Sequence, residues 1–271
     1  MPYVNDQGTQ LWFDVAGQGE PLVGTGGWGL LHEQFHAIRP LLTPHLKFID
    51  WNYRGCGHSD RSWAGNVSVD RWVDDLVIVL DHLKLEKIHL WGTSTGSNLA
   101  IRFASRYPSR LKSLITFPSF RYSASSRQKA QTYLGLAENF GYQALAKFTQ
   151  WIGCGEKYIY GAKGDEIAKF ETDAFARNFT IASLSKIMEA FYHCDLAPDV
   201  KKLTMPVLLL MGTSGQNGSD HPNIKSSVDD FKKLCPRAEV ATLEGAGGTY
   251  CMVEEPEATA PLVLDWVKRH A

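Results

Sequence analysis

Apolar positions along this chain follow two rhythms that take turns. Short runs rich in Val, Ile, Leu, Phe and Trp cover 11–15, 21–24, 46–51, 87–91, 111–117, 207–211 and 238–243. Bounded by turn residues, runs of this length read as strands. Between them, apolar residues spaced three and four apart predict helices over 32–41, 68–83, 94–107, 224–235 and 256–270. Alternation of this kind builds a mostly parallel, twisted sheet flanked by helices, an α/β fold. From 118 to 200 the rhythm changes. Helical spacing persists over 128–139, 143–151, 164–177 and 181–193, with no strand-like run among them. A helical insertion between two strands sits over their carboxyl ends, where open α/β sheets bind ligands. The expected organisation is a core of residues 1–117 and 201–271, with 118–200 inserted as a helical cap.

Composition narrows the setting. The 271 residues, 44% of them hydrophobic, suffice for one large core. With 28 basic against 29 acidic residues the net charge is −1, so neither nucleic acid nor a membrane surface is an expected partner. No apolar run approaches the roughly 20 residues of a membrane span. Met1-Pro2-Tyr3-Val4-Asn5-Asp6 has no basic stretch leading into an apolar one, so no signal peptide is expected. Cys56, Cys154, Cys194, Cys235 and Cys251 form no C-x-x-C pair, which suits a reducing, cytoplasmic setting. His32 and His36 have the i, i+4 spacing of a metal pair but lack a third ligand, so neither a metal nor another cofactor is expected.

The chemistry concentrates in Leu90-Trp91-Gly92-Thr93-Ser94-Thr95-Gly96-Ser97. A G-x-S-x-G run between a strand and a helix reads as a sharp turn that lifts one serine hydroxyl above the sheet. Three further segments accompany it: Pro21-Leu22-Val23-Gly24-Thr25-Gly26-Gly27-Trp28, Asp50-Trp51-Asn52-Tyr53-Arg54-Gly55-Cys56-Gly57-His58-Ser59, and Leu243-Glu244-Gly245-Ala246-Gly247-Gly248-Thr249 followed by Glu254-Glu255-Pro256-Glu257. Together they make the chain resemble the α/β-hydrolase superfamily, in the subgroup with a helical cap. The resemblance implies that Ser94 is the nucleophile. It also implies an oxyanion hole made by the backbone N–H of Thr95 and that of Gly27 or Trp28.

The rest of the family's machinery is not where the resemblance puts it. The general base falls on Gly248, or on Thr249 if the register shifts by one. The acid falls on Gly215, and its second common location offers only Pro118 and Ser119. A serine hydroxyl without a base is a poor nucleophile at neutral pH. In the loop after 207–211, His221 is a candidate base and Asp220 a candidate acid, although the pair also suits a solvated loop with a helix cap before Pro222. Trp28, His193 and Tyr250 are candidate substrate-binding residues. Phe140, Tyr142, Phe148, Trp151, Tyr158 and Tyr160 suggest an apolar or aromatic ligand, or simply the small core of the cap.

Three functions follow. The first is acyl transfer at Ser94 with a non-standard triad: hydrolysis of an ester, thioester or lactone, or passage of the acyl group to another nucleophile. Its substrate would be small and apolar or aromatic, and a carrier-protein thioester is one form of delivery. The second is a non-catalytic small-molecule-binding protein, since two glycines in place of polar side chains enlarge the pocket. The third is a lyase, isomerase or cyclase in which Ser94 only donates a hydrogen bond.

Overall fold

A computed structural model describes residues 2–61, 67–121, 124–192 and 194–271. Its sheet has eight strands: β1 Tyr3–Asp6, β2 Thr9–Ala16, β3 Pro21–Thr25, β4 Lys47–Trp51, β5 Ile88–Gly92, β6 Leu111–Thr116, β7 Val207–Ser214 and β8 Glu239–Gly247, in the order β1-β2-β4-β3-β5-β6-β7-β8. The β1–β2 and β2–β4 pairings are antiparallel and all the others are parallel. Every predicted strand is present. β1 escaped prediction because its four residues alternate between exposed and half-buried and contain no apolar run.

The helices follow the predicted spacing with one exception. They are α1 Arg39–Leu42, α2 Val69–His82, α3 Gly96–Arg106, α4 Ala124–Gly153, α5 Gly161–Asn178, α6 Ile181–Tyr192, α7 Ala197–Val200, α8 Pro222–Leu234, α9 Cys251–Glu254 and α10 Pro256–Arg269. The helix expected over 32–41 is broken into a 3₁₀ turn, Leu31–Phe35, and the single turn of α1. Pro40 lacks an N–H and is tolerated only in a first helical turn, so it starts a new helix instead of extending the old one. α4 spans two predicted helices across Gly141, whose φ of 78° and ψ of 179° interrupt the helical path.

β5 lies between β3 and β6 at the centre of the sheet and is buried along its whole length. That is expected of a parallel strand covered by helices on both faces. Trp51, Trp72, Trp91 and Trp266 are the largest wholly buried side chains. Between β6 and β7 the described residues are helical or irregular, and α4, α5 and α6 lie there. The loops leaving β3, β5, β6, β7 and β8 open at the same end of the sheet, and the candidate site is built from them.

Candidate active site

Ser94 stands on the turn between β5 and α3 with a φ of 52°. A non-glycine residue in this left-handed region stores backbone strain of about 1–3 kcal/mol, which surrounding structure must hold. β5 ends buried and α3 begins at Gly96, so there is no slack through which the turn could relax. The hydroxyl lies where two cavities adjoin. The smaller, about 50 Å³, is lined chiefly by polar groups, among them Gln34, Thr149, Tyr133 and Tyr250. The larger, about 150 Å³, is walled by Trp28, Phe117, Ala130, Met188 and Phe191. Ser94, Trp28, Tyr133, Asn217 and Thr249 line both.

Backbone fills the places where the resemblance would set an acid and a base. A Cβ at Gly248 would lie 1.7 Å from the carbonyl oxygen of Asn217, so the loop after β7 passes directly over it. A Cβ at Gly215, whose φ is 78°, would lie 2.3 Å from the carbonyl oxygen of Cys154. Gly153-Cys154-Gly155, at the end of α4, thus threads between the loops that follow β7 and β8. Glu254 fastens this crossing, accepting from the N–H of Gly155 at 2.9 Å and from that of Gly247 at 2.6 Å. The two glycines leave no empty space. They allow three chain segments to touch.

His221 and Asp220 do not reach Ser94. Neither lines either cavity among the described residues. His221 is the N-cap of α8, its Nδ1 accepting from the Asn223 N–H at 3.3 Å, and Asp220 is exposed. The capping alternative is the one the geometry realises. His193 lies outside the described residues. His32 and His36 do not share a face: His32 packs at a tilt against Trp12 and His58, and His36 stacks on Phe170. The six aromatics expected to line a pocket also stay out of it, Phe140 and Tyr160 being exposed. Tyr133, Phe175 and Phe191 take that role instead.

The oxyanion candidates are present but engaged. The Gly27 N–H donates to Gln34 Oε1 at 2.9 Å, and the Trp28 N–H to Thr95 Oγ1 at 2.8 Å. Gln34 is anchored at its other end, donating from Nε2 to the Thr249 carbonyl at 3.0 Å. Among the described residues nothing accepts from the Thr95 N–H, and Thr95 lines the larger cavity. The Trp28 ring lines both cavities and also stacks on Phe175, so it serves pocket and packing together. Tyr250 lines the smaller cavity, but its hydroxyl is committed to Glu171.

Three polar residues at or beside the cavities carried no signal in the sequence. Glu171 on α5 is wholly buried, accepts from Thr149 Oγ1 at 2.9 Å and from Tyr250, and burial raises its carboxyl to about 8. Asn217 aligns with no motif and reaches the cavities only because its loop crosses Gly248. Lys129 on α4 lines the larger cavity, and burial lowers its ammonium below the usual lysine range. In one dimension Lys129 is one more cation on a polar helix face.

This architecture has named counterparts. The chain matches the family described as alpha/beta hydrolase fold over residues 21–155. A Bacillus subtilis (strain 168) protein named "Putative 2-succinyl-6-hydroxy-2,4-cyclohexadiene-1-carboxylate synthase" is 33% identical over 233 residues, covering 83% of this chain and 82% of that protein. The chain belongs to the α/β-hydrolase family. Another relative from the same organism, the AB hydrolase superfamily protein YisY, is 27% identical over 86% of this chain and 75% of its own length. Among solved structures, a thermophilic esterase from Thermogutta terrifontis superposes with a TM-score of 0.82 at 22% identity, covering all of this chain and 98% of the esterase. That likeness is one of fold. As an α/β hydrolase the chain has the family's sheet order and its serine turn, together with a backbone crossing at the positions that the resemblance gave to base and acid.

Proposed function

We propose that the protein is an acyl-transfer enzyme with Ser94 as its nucleophile and 118–200 as its cap. The observation that carries this reading is the strained Ser94, held at a φ of 52° where a polar and an apolar cavity adjoin. Strain of that kind persists only where the surrounding fold enforces it, and it aims the hydroxyl at whatever fills the cavity. The substrate is an ester, thioester or lactone whose acyl part is small and apolar or aromatic. A volume of about 150 Å³ admits a group the size of a single ring. The acyl group forms an ester with Ser94 Oγ and leaves to water or to a second nucleophile, with the Thr95 N–H facing the developing oxyanion.

The test is covalent labelling. A fluorophosphonate should add to Ser94, as read by intact mass and peptide mapping, and Ser94→Ala should abolish both the adduct and the turnover of p-nitrophenyl esters. An unlabelled wild-type enzyme at every pH between 6 and about 10 would sink the reading.

A second reading is supported by the engaged N–H groups of Gly27 and Trp28. With two of the three candidate donors bonded to side chains, Ser94 would act as a hydrogen-bond donor in a lyase, isomerase or cyclase. The synthase named among the relatives fits that class. Ser94→Ala retaining most of the turnover, with no acyl-enzyme mass in the wild type, favours this reading over the first.

A further inference from the structure

A nucleophilic Ser94 needs somewhere to send its proton, and the positions of the family's base and acid are crossed by backbone at Asn217 and Cys154. Among the described residues lining the two cavities, one side chain carries an amine, an imidazole or a carboxyl group: Lys129. It makes no hydrogen bond or ion pair among the described residues; the other helix lysines in that position, Lys225, Lys232 and Lys268, are all exposed to solvent. Lys129 is half-buried, and its cavity is walled by Trp28, Phe117, Ala130, Met188 and Phe191 together with uncharged polar groups such as Ser119, Asn217 and Thr249. A half-buried amine without a counter-ion, facing a cavity, has two uses: it accepts a proton in its neutral form, or it holds an anion in its charged form.

We propose that Lys129 is the general base for Ser94, a catalytic residue that replaces the histidine of the ordinary triad. The inference rests on Ser94 being the nucleophile. The need for a base, with no other titratable nitrogen among the described residues that line the cavities, favours this use over anion binding. Burial, the sole cause acting on the amine, makes the neutral form accessible at lower pH. The groups that face Lys129 across the cavity come from the Ser94 turn, the β6 end (Phe117, Ser119), α6 (Met188, Phe191) and the loops at Trp28, Asn217 and Thr249. None of them is charged. Tyr133, on α4 itself, is the one titratable neighbour, and burial beside Glu171 drives its phenol upward and keeps it neutral.

The proton count closes. As Ser94 Oγ bonds to the carbonyl carbon, its proton passes to the neutral Lys129 amine. The resulting ammonium returns that proton to the departing oxygen or sulfur as the acyl bond breaks. In the second half the incoming water or alcohol gives its proton to Lys129, and Ser94 Oγ recovers one as it leaves the acyl carbon.

The rate of Ser94 labelling by a fluorophosphonate, followed against pH, tests the assignment. In the wild type it should climb with pH to a plateau, with a midpoint below the 10.5 of an ordinary lysine. Lys129→Met should slow labelling at the plateau by about 100-fold or more and remove the midpoint. Lys129→Arg keeps the charge but cannot be neutral, so it should be as slow as the methionine variant. Circular dichroism and thermal unfolding establish that both variants fold. Arginine at wild-type speed would show that positive charge alone is used, and overturns the base. Wild-type speed in both variants also overturns it while leaving the Ser94 reading intact. If the wild type takes no label, the nucleophile reading itself fails and the base falls with it.

Discussion

Lys129, half-buried, and Glu171, wholly buried, both sit against their electrostatic interest, and each leaves a distinct mark on stability. The Lys129 ammonium is desolvated with no carboxylate beside it, so the folded state binds its proton more weakly than the unfolded chain does. Lys129→Met should therefore raise the melting temperature at pH 7, as read by thermal unfolding. A lower melting temperature would mean that the aliphatic stem of Lys129 packs better than methionine. Glu171 acts in the opposite sense along the pH axis. Its carboxyl is near 4.5 in the unfolded chain and about 8 in the folded one. Between those values the folded protein keeps a proton that the unfolded chain has released, so this group erodes stability as pH rises from about 4.5 to 8. Glu171→Gln should level that part of the curve, as read by thermal unfolding of both proteins at pH 5 and pH 8. A slope identical to wild type would mean that the Tyr250 and Thr149 hydroxyls keep the carboxylate ionised. Neither residue stood out in the sequence, because burial inside a helical layer depends on which helices meet, and no local pattern records that.

At the scale of elements, the sequence was most legible where periodicity and turn chemistry agree. β5 and α3 were readable because an apolar run, two glycines and a helical period occur in immediate succession around Ser94. Ser68 capping α2, accepting from the Arg71 N–H at 3.1 Å, is local in the same way. The single helix expected over 32–41 failed because its apolar spacing continued through Pro40, which the backbone cannot do. His221 shows the other kind of miss. A short-range cap and a long-range base draw on the same side chain, and the cap wins because its partner is two residues away. The kink of α4 yields a prediction of its own. Gly141 sits at φ 78°, ψ 179°, a region essentially reserved for glycine, and nothing lies within 4 Å of where its Cβ would be. Gly141→Ala should thus cost about 1–3 kcal/mol from backbone conformation alone, without any clash. Urea unfolding reads this directly, and an unchanged midpoint would mean that α4 straightens freely.

For the whole molecule, the parallel sheet and the helical insertion were legible from alternation and its interruption, and the serine turn from its motif. The crossing of three backbones beneath the site was not. It joins residues near 154, 215 and 248, and its only trace in one dimension was two glycines where side chains were expected. Read singly, those glycines looked like deletions that open a pocket. Read in three dimensions, they are contact points. The difference is measurable. Gly248→Ala adds a methyl group 1.7 Å from the Asn217 carbonyl, so the loop must shift and stability should drop by about 1–3 kcal/mol, seen as a lower urea midpoint with an unchanged slope. A methyl accommodated at no cost would mean that the crossing is loose.

The same crossing has a historical consequence. A chain that had lost only its histidine could regain the triad by one substitution, because the vacated place would still be there. Here the place is occupied by the main chain of the loop after β7 at Asn217, so Gly248→His offers a base with nowhere to stand unless that loop moves. Return would require the loop after β7, the end of α4 and both glycine positions to change together. A side chain at that position therefore comes only with a new path for the loop that crosses it.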